Sequence, residues 1–239
     1  MSAGKNKKQK SNNTIVKIVV VISIIAVLAV LGIIIGIKAS LKPQYEPGLP
    51  RGCSKHGLCV DKPILYLYPT EETNVTVSFG KPAQLTTTYP KYYGGWNITA
   101  QPDGTLSDVS GQEYYALYWE EESNFSPDLD YAFYVTKDNA IDFLESKLTY
   151  IGLNNKERNE FIMYWLPILE NNGQNLVRFA FTDELQSDNE LKISPAPDSL
   201  LRIRIFVEKV DSNPNLPEPT LQTFERKGFA AIEWGGTKQ

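Results

Sequence analysis

Two glutamates and one short cysteine loop have the residue types that could do chemistry in this sequence. Glu120 follows Trp119 and Glu233 precedes Trp234. A carboxyl set against an indole in an apolar rim has its pKa raised and can act as an acid. Two such groups suffice for a glycoside hydrolase, about 5–5.5 Å apart for a retaining enzyme and about 6.5–9.5 Å for an inverting one. Glu120 would be the acid and Glu233 the nucleophile or base. Within a strand Glu120 and Glu121 point to opposite faces, so a working pair must come from two strands. The plainer alternative for Glu120-Glu121-Glu122 is a solvated acidic turn, and for Trp119 and Trp234 a place in the core. If their rings face outward instead, Trp96, Trp119 and Trp234 are the candidate binding residues.

Cys53-Ser-Lys-His56-Gly-Leu-Cys59 holds the only two cysteines and the only histidine of the 239 residues. Outside a membrane, so close a pair is most simply a disulfide, for which the chain-entropy model gives about 2 kcal/mol. A zinc site would need a further ligand from a carboxylate elsewhere, and a nucleophilic cysteine would be capped in an oxidising compartment. No metal site is therefore expected. A single histidine also removes the usual Ser-His-Asp, Cys-His-Asn and multi-histidine constellations. There is no G-x-G-x-x-G, Walker A or EF-hand pattern, so no cofactor is expected.

The element that places all of this is Ile18 to Ile37, twenty residues without a charge between Lys17 and Lys38. At about 1.5 Å per residue it reaches about 30 Å, the thickness of a hydrocarbon core. It is expected to be a transmembrane helix, within residues 15–38, and its partner is the lipid bilayer. Lys5, Lys7, Lys8, Lys10 and Lys17 lie before it, so residues 1–14 are expected in the cytoplasm and the carboxyl-terminal part outside. Ala39 and Ser40 offer a signal-peptidase motif, but a signal h-region is only about 7–15 residues, which favours an uncleaved single-pass anchor. Of the 24 basic residues six lie in residues 1–38. That leaves 18 against all 28 acidic side chains in the remaining 201, a charge near −10. Such a balance argues against a nucleic-acid partner.

Residues 39–60, with Pro43, Pro47 and Pro50, read as an extracytoplasmic stalk carrying the cysteine loop. Residues 61–239 read as one globular α+β domain. Its strands are expected at Ile64–Tyr68, Asn74–Phe79, Gln84–Tyr89, Trp96–Ala100, Glu113–Glu120, Leu129–Thr136, Leu176–Thr182, Leu191–Ser194, Leu200–Val210, Leu221–Phe224 and Phe229–Trp234. Pro102-Asp-Gly104 and Arg226-Lys-Gly228 suit tight turns between neighbours. Two helices interrupt the series. Asp138 caps the first, with Ile141, Leu144, Leu148 and Ile151 on one stripe before Gly152. Asn155 caps the second, with Phe161, Ile162, Trp165 and Leu169 on one stripe and Pro167 to kink or end it. The expected architecture is a mostly antiparallel sheet or sandwich with this helical pair packed on one face or end. Asn74, Asn97 and Asn124 stand in Asn-x-Ser/Thr positions, acceptors where the source glycosylates.

Several motifs resemble those of a family of uncharacterised bacterial proteins: Lys62-Pro-Ile-Leu-Tyr-Leu-Tyr-Pro69, Trp96-Asn97, Pro102-Asp-Gly104, Tyr118-Trp-Glu120, Tyr164-Trp-Leu-Pro167 and Glu225-Arg-Lys-Gly-Phe229 with Glu233-Trp-Gly-Gly236. The resemblance covers roughly Lys62 to Gly236. It implies one intact domain and a bacterial source, and it carries over no catalytic residue. The expected function is a non-enzymatic module at the cell envelope, binding a protein or glycan through an aromatic and acidic face. The alternative is the two-carboxylate glycan hydrolase.

Overall fold

Strand β1 (Leu58–Tyr68) decides the layering, because both of its faces are apolar. Ile64 and Tyr66 point one way, Leu65 and Leu67 the other, and none is more than 3% exposed. A strand buried on both faces must lie inside a sheet with a further layer on each side. The computed structural model, which describes residues 58–80, 84–123, 125, 127 and 129–238, has that arrangement.

The remaining strands among the described residues are β2 (Thr73–Phe79), β3 (Gln84–Tyr89), β4 (Trp96–Ala100), β5 (Leu106–Ser107), β6 (Glu113–Tyr114), β7 (Leu117–Ser123), β8 (Phe133–Thr136), β9 (Gln174–Phe181), β10 (Leu191–Ser194), β11 (Ser199–Lys209) and β12 (Ala230–Lys238). The helices are α1 (Ala140–Ile151), α2 (Asn155–Asn172) and α3 (Thr182–Asp188). A seven-stranded sheet runs β3-β7-β1-β12-β11-β9-β8 and a five-stranded sheet β10-β2-β4-β5-β6. Every pairing is antiparallel except β11 with β12. The protein is therefore α+β with mostly antiparallel sheets.

One face of the large sheet, through Ile64, Tyr66, Val177, Phe179, Ile203, Ile205, Ile232 and Trp234, packs on Leu144, Leu148, Phe161 and Trp165 of the helical pair. The other face, through Leu65, Leu67, Leu117, Trp119 and Ala231, packs on Val75, Val77, Trp96, Ile98 and Leu106 of the small sheet. Ala180 and Phe206 on that second face are covered by Leu185 of α3.

Several expected boundaries shift, each for a physical reason. Asn154 rather than Asn155 caps α2, accepting from Glu157 N–H at 3.0 Å while its own N–H donates to the Glu157 carboxylate at 2.9 Å. At the start of α1 the flanking residue is Asn139, whose side chain accepts from Thr136 N–H at 2.8 Å, and Asp138 lies one residue earlier. Pro167 neither ends nor breaks α2, which continues to Asn172. It lies on the exposed face, as does Met163, whose carbonyl it deprives of a donor, so water can satisfy that oxygen. Glu113–Glu120 is not one strand, because the ladder breaks at Tyr115-Ala116 between β6 and β7.

The expected strand at Leu221–Phe224 is irregular chain. Because β11 and β12 are parallel, residues 210–229 must return the chain to the starting end of the sheet. That crossover lays Leu221 and Phe224 on the helix-side core, with Phe224 N–H bonded to the Ile151 carbonyl at 2.8 Å. The Arg226–Gly228 segment accordingly leads into β12 from the crossover instead of joining two neighbouring strands.

Among the described residues no helix is long and apolar enough to cross a membrane. The expected span at 18–37, residues 39–57 of the expected stalk, Cys53 and His56 lie outside the described residues. Leu58, Cys59 and Val60 belong to β1, so the folded domain begins before residue 61 and inside the expected stalk.

Candidate functional site

The two carboxylates singled out by their tryptophans lie on opposite faces of the large sheet. Residues paired across a strand share a face. Glu233 pairs with Leu65 and with Arg202, which puts it on the small-sheet side. Tyr118 pairs with Ile64 on the helix side, and Glu120 accepts a 2.6 Å bond from the Tyr118 hydroxyl on that same face. Glu120 and Glu233 therefore form no catalytic pair.

Glu233 belongs to a charge network enclosed between the sheet and α3. It receives Arg202 Nε at 2.7 Å, and both side chains are 0% exposed. Arg202 Nη1 also donates to the Gln186 side-chain oxygen and the Asn189 carbonyl, each at 2.6 Å. Beside it Arg204 Nη2 meets Glu121 at 3.0 Å, and Glu121 also accepts from Asn189 Nδ2. Burial pushes the Glu121 carboxyl above the usual range, against the pull of Arg204. These groups bond to one another and hold the second face of the sheet together.

The three candidate tryptophans are core residues. Trp119 and Trp234 are wholly buried, and Trp96 is fixed by its indole N–H to the Pro90 carbonyl at 2.8 Å. None presents a ring face to solvent.

What the fold leaves open is the helix-side face of β7 and β3. The helical pair packs over β8, β9, β11, β12 and β1, and seven strands are wider than two helices can cover. On the uncovered margin lies a cleft of about 450 Å³ lined by Lys62, Ile64, Tyr89, Glu113, Tyr114, Tyr115, Ala116 and Tyr118. Tyr89 and Tyr114 meet edge to face at 5.5 Å. The break between β6 and β7 turns Tyr115 out of the ladder, where it is 53% exposed.

A β-bulge shapes the inner end of this cleft. Asp61 pairs with Gly236 and Ile64 with Trp234, so β1 carries one extra residue over that interval. Lys62 takes the strain, with φ at 55°, and Pro63, which cannot donate to a ladder, sits where none is needed. Asp61 and Ile64 thereby share the helix-side face. The Lys62 ammonium stands 5.0 Å from the Tyr164 ring centre and 5.8 Å from that of Trp234. Burial, with Asp61 and Glu120 nearby, raises the Tyr164 hydroxyl well above its ordinary value. Burial and the bond to Glu120 do the same for Tyr118. Both phenols thus stay protonated and able to donate at any biological pH.

Along the helix side of the cleft, Lys156 lies 4.5 Å from the Tyr115 ring centre, and Glu160 accepts from the Tyr66 hydroxyl at 2.8 Å. Among the described residues no group of three or more His, Cys, Asp or Glu could hold a metal ion.

The sequence motifs did not single out Lys62, Tyr89, Tyr114 or Tyr115 for function. The available signal was the density of tyrosines around Ala116, which the expected strand Glu113–Glu120 absorbed. Asn74 and Asn97 lie on the outer face of the small sheet. Thr76 donates to Asn97 Oδ1 at 3.0 Å and Thr99 to Asn74 Oδ1 at 2.9 Å, so each asparagine is held by the other's threonine. Asn124 lies outside the described residues. Comparison with known protein families, with curated proteins and with solved structures finds no match to this chain.

Proposed function

We propose that the protein is a membrane-anchored, non-enzymatic binding module of a bacterial cell envelope. Residues 1–14 lie in the cytoplasm, 18–37 in the bilayer and the folded domain outside. The observation that carries the binding role is the tyrosine-lined cleft on β7 and β3. It has an apolar floor, a few convergent polar groups and a strained bulge at its end, the usual make-up of a ligand site. The glycan-hydrolase alternative has no support from Glu120 and Glu233, which face away from each other.

Protease added to intact cells should remove the domain and spare a tag at Met1; a protected domain with a cleaved tag reverses the orientation. In the same reading Cys53 and Cys59 are bonded to each other. Non-reduced peptides of the released domain should carry that link, and two free thiols there would sink it.

Full-length protein in detergent should sediment with isolated envelope material. Tyr115→Ala should markedly reduce this without moving the thermal midpoint, because the ring is half out of the fold. Sedimentation unchanged by the substitution would place the ligand surface elsewhere.

A further inference from the structure

The chemistry of the cleft restricts what it can hold. At Tyr118 strand β7 is paired on one side to Ile64 of β1 and on the other to Tyr89 of β3, so β7 offers no free ladder edge. The sheet edges that border the cleft, β3 ending at Tyr89 and the two-residue β6, do not carry a ladder across this floor for an added peptide strand. A ligand must be held by side chains. The lining supplies phenol hydroxyls, which both donate and accept, the Glu113 carboxylate and the Lys62 ammonium, and Glu120, Glu160 and Lys156 stand against its tyrosines. This set suits a ligand with many hydroxyls.

The charges narrow it further. Glu113 lines the cleft, Glu120 is bonded to Tyr118, Glu160 stands beside Tyr66 and Tyr115, and Asp61 lies against Tyr164. Against these four carboxylates stand Lys62 and Lys156, each already placed over aromatic rings. The excess of acid opposes a polyanion such as a polyphosphate or a uronic-acid polymer. The rings favour a flat apolar face. An equatorially substituted pyranose offers C–H groups on its faces and hydroxyls around its rim, which matches a phenol wall bordered by acceptors.

We infer that the cleft takes a neutral, β-1,4-linked pyranose chain of the wall-glycan class, one sugar ring stacked on Tyr115 and a rim hydroxyl bonded at the Tyr118–Glu120 pair. This rests on the binding-module reading and gives it a substrate class. Tyr118 donates to Glu120, so its remaining lone pair and the carboxylate face a sugar hydroxyl as acceptors. Lys156 occupies one side of the Tyr115 ring, and the sugar takes exposed surface of the same residue.

The test is calorimetric titration of full-length protein in detergent micelles. The probes are a neutral β-1,4-linked N-acetylglucosamine tetramer, a β-1,4-linked glucose tetramer, an inorganic polyphosphate and an uncharged extended peptide. At least one neutral tetramer should bind, and polyphosphate should not. Tyr115→Ala should weaken binding on the order of tenfold, the size of one aromatic contact. Tyr118→Phe keeps the ring and should weaken it about threefold, the size of one neutral hydrogen bond. Tyr115→Ala should keep the parent thermal midpoint, and Tyr118→Phe, which also loses the bond to Glu120, should lower it slightly while the domain stays folded. Sedimentation with envelope material but no binding of either tetramer overturns the glycan inference and leaves the binding module standing. So does preference for the peptide or for polyphosphate. Tetramer binding indifferent to both substitutions overturns the site. Loss of sedimentation and of tetramer binding in the unmodified protein overturns both readings.

Discussion

Glu233→Ala is expected to cost about 3–5 kcal/mol, a large part of the stability of an ordinary domain. The alanine itself is tolerable in a strand; the cost lies in what it leaves behind. Arg202 is 0% exposed and would keep its charge with the Gln186 and Asn189 oxygens as its hydrogen-bond partners and, nearby, the Glu121 carboxylate that already pairs with Arg204. An unpaired buried guanidinium is far worse than a buried pair. The same argument predicts an asymmetry. Changing both partners together, Glu233→Leu with Arg202→Met, removes the charge and its desolvation, and should be neutral or more stable by about 1–4 kcal/mol. Urea unfolding of the two variants reads both numbers. A single-variant loss under about 1 kcal/mol would mean that water reaches the guanidinium and that the pair is not enclosed.

Trp165→Ala should cost about 3–5 kcal/mol through a different mechanism, the loss of a fully buried ring and the cavity left after it. Trp165 is 0% exposed and lies beside Phe161, over Gly236 of β12. The contact is close enough that a methyl group at Gly236 would collide with the indole and with Ile205. Strand β12 therefore needs a glycine beneath this ring, and neither partner can change size alone. The expected readout is a lower thermal midpoint together with a lower urea midpoint. An unchanged midpoint would put Trp165 on the surface and dissolve the helix-side layer described above.

The layers were legible wherever burial leaves a period in the sequence. The two-sided apolar run at Ile64–Leu67 and the helical stripes of Leu144, Leu148, Phe161 and Trp165 each carry their own pattern. The parallel β11–β12 pairing was not, because long-range register has no local signature and a twenty-residue crossover imitates strand and turn in pieces. Helix α3 has one buried apolar residue, Leu185, too few to set a stripe. The carboxylates misled for a related reason. Alternation along β7 separates Glu120 from Glu121, but only the pairing partners show which face Glu233 joins. The cleft was hidden because it is produced by a shortage of cover, set by how many strands lie beside two helices, and a shortage leaves no motif.

The bulged strand β1 has a mechanical consequence in the proposed topology. It is the first described strand after the expected membrane span, and it lies inside the large sheet, held by β7 on one side and β12 on the other. Tension on a tether from the bilayer would enter at Leu58 and act along β1. Its antiparallel hydrogen bonds lie across that direction. They are loaded sideways and together, instead of being opened one at a time from an end. In the proposed reading the load would therefore enter through an interior strand paired on both sides, and the candidate cleft, one strand away on β7, lies beside the path along which that load would pass.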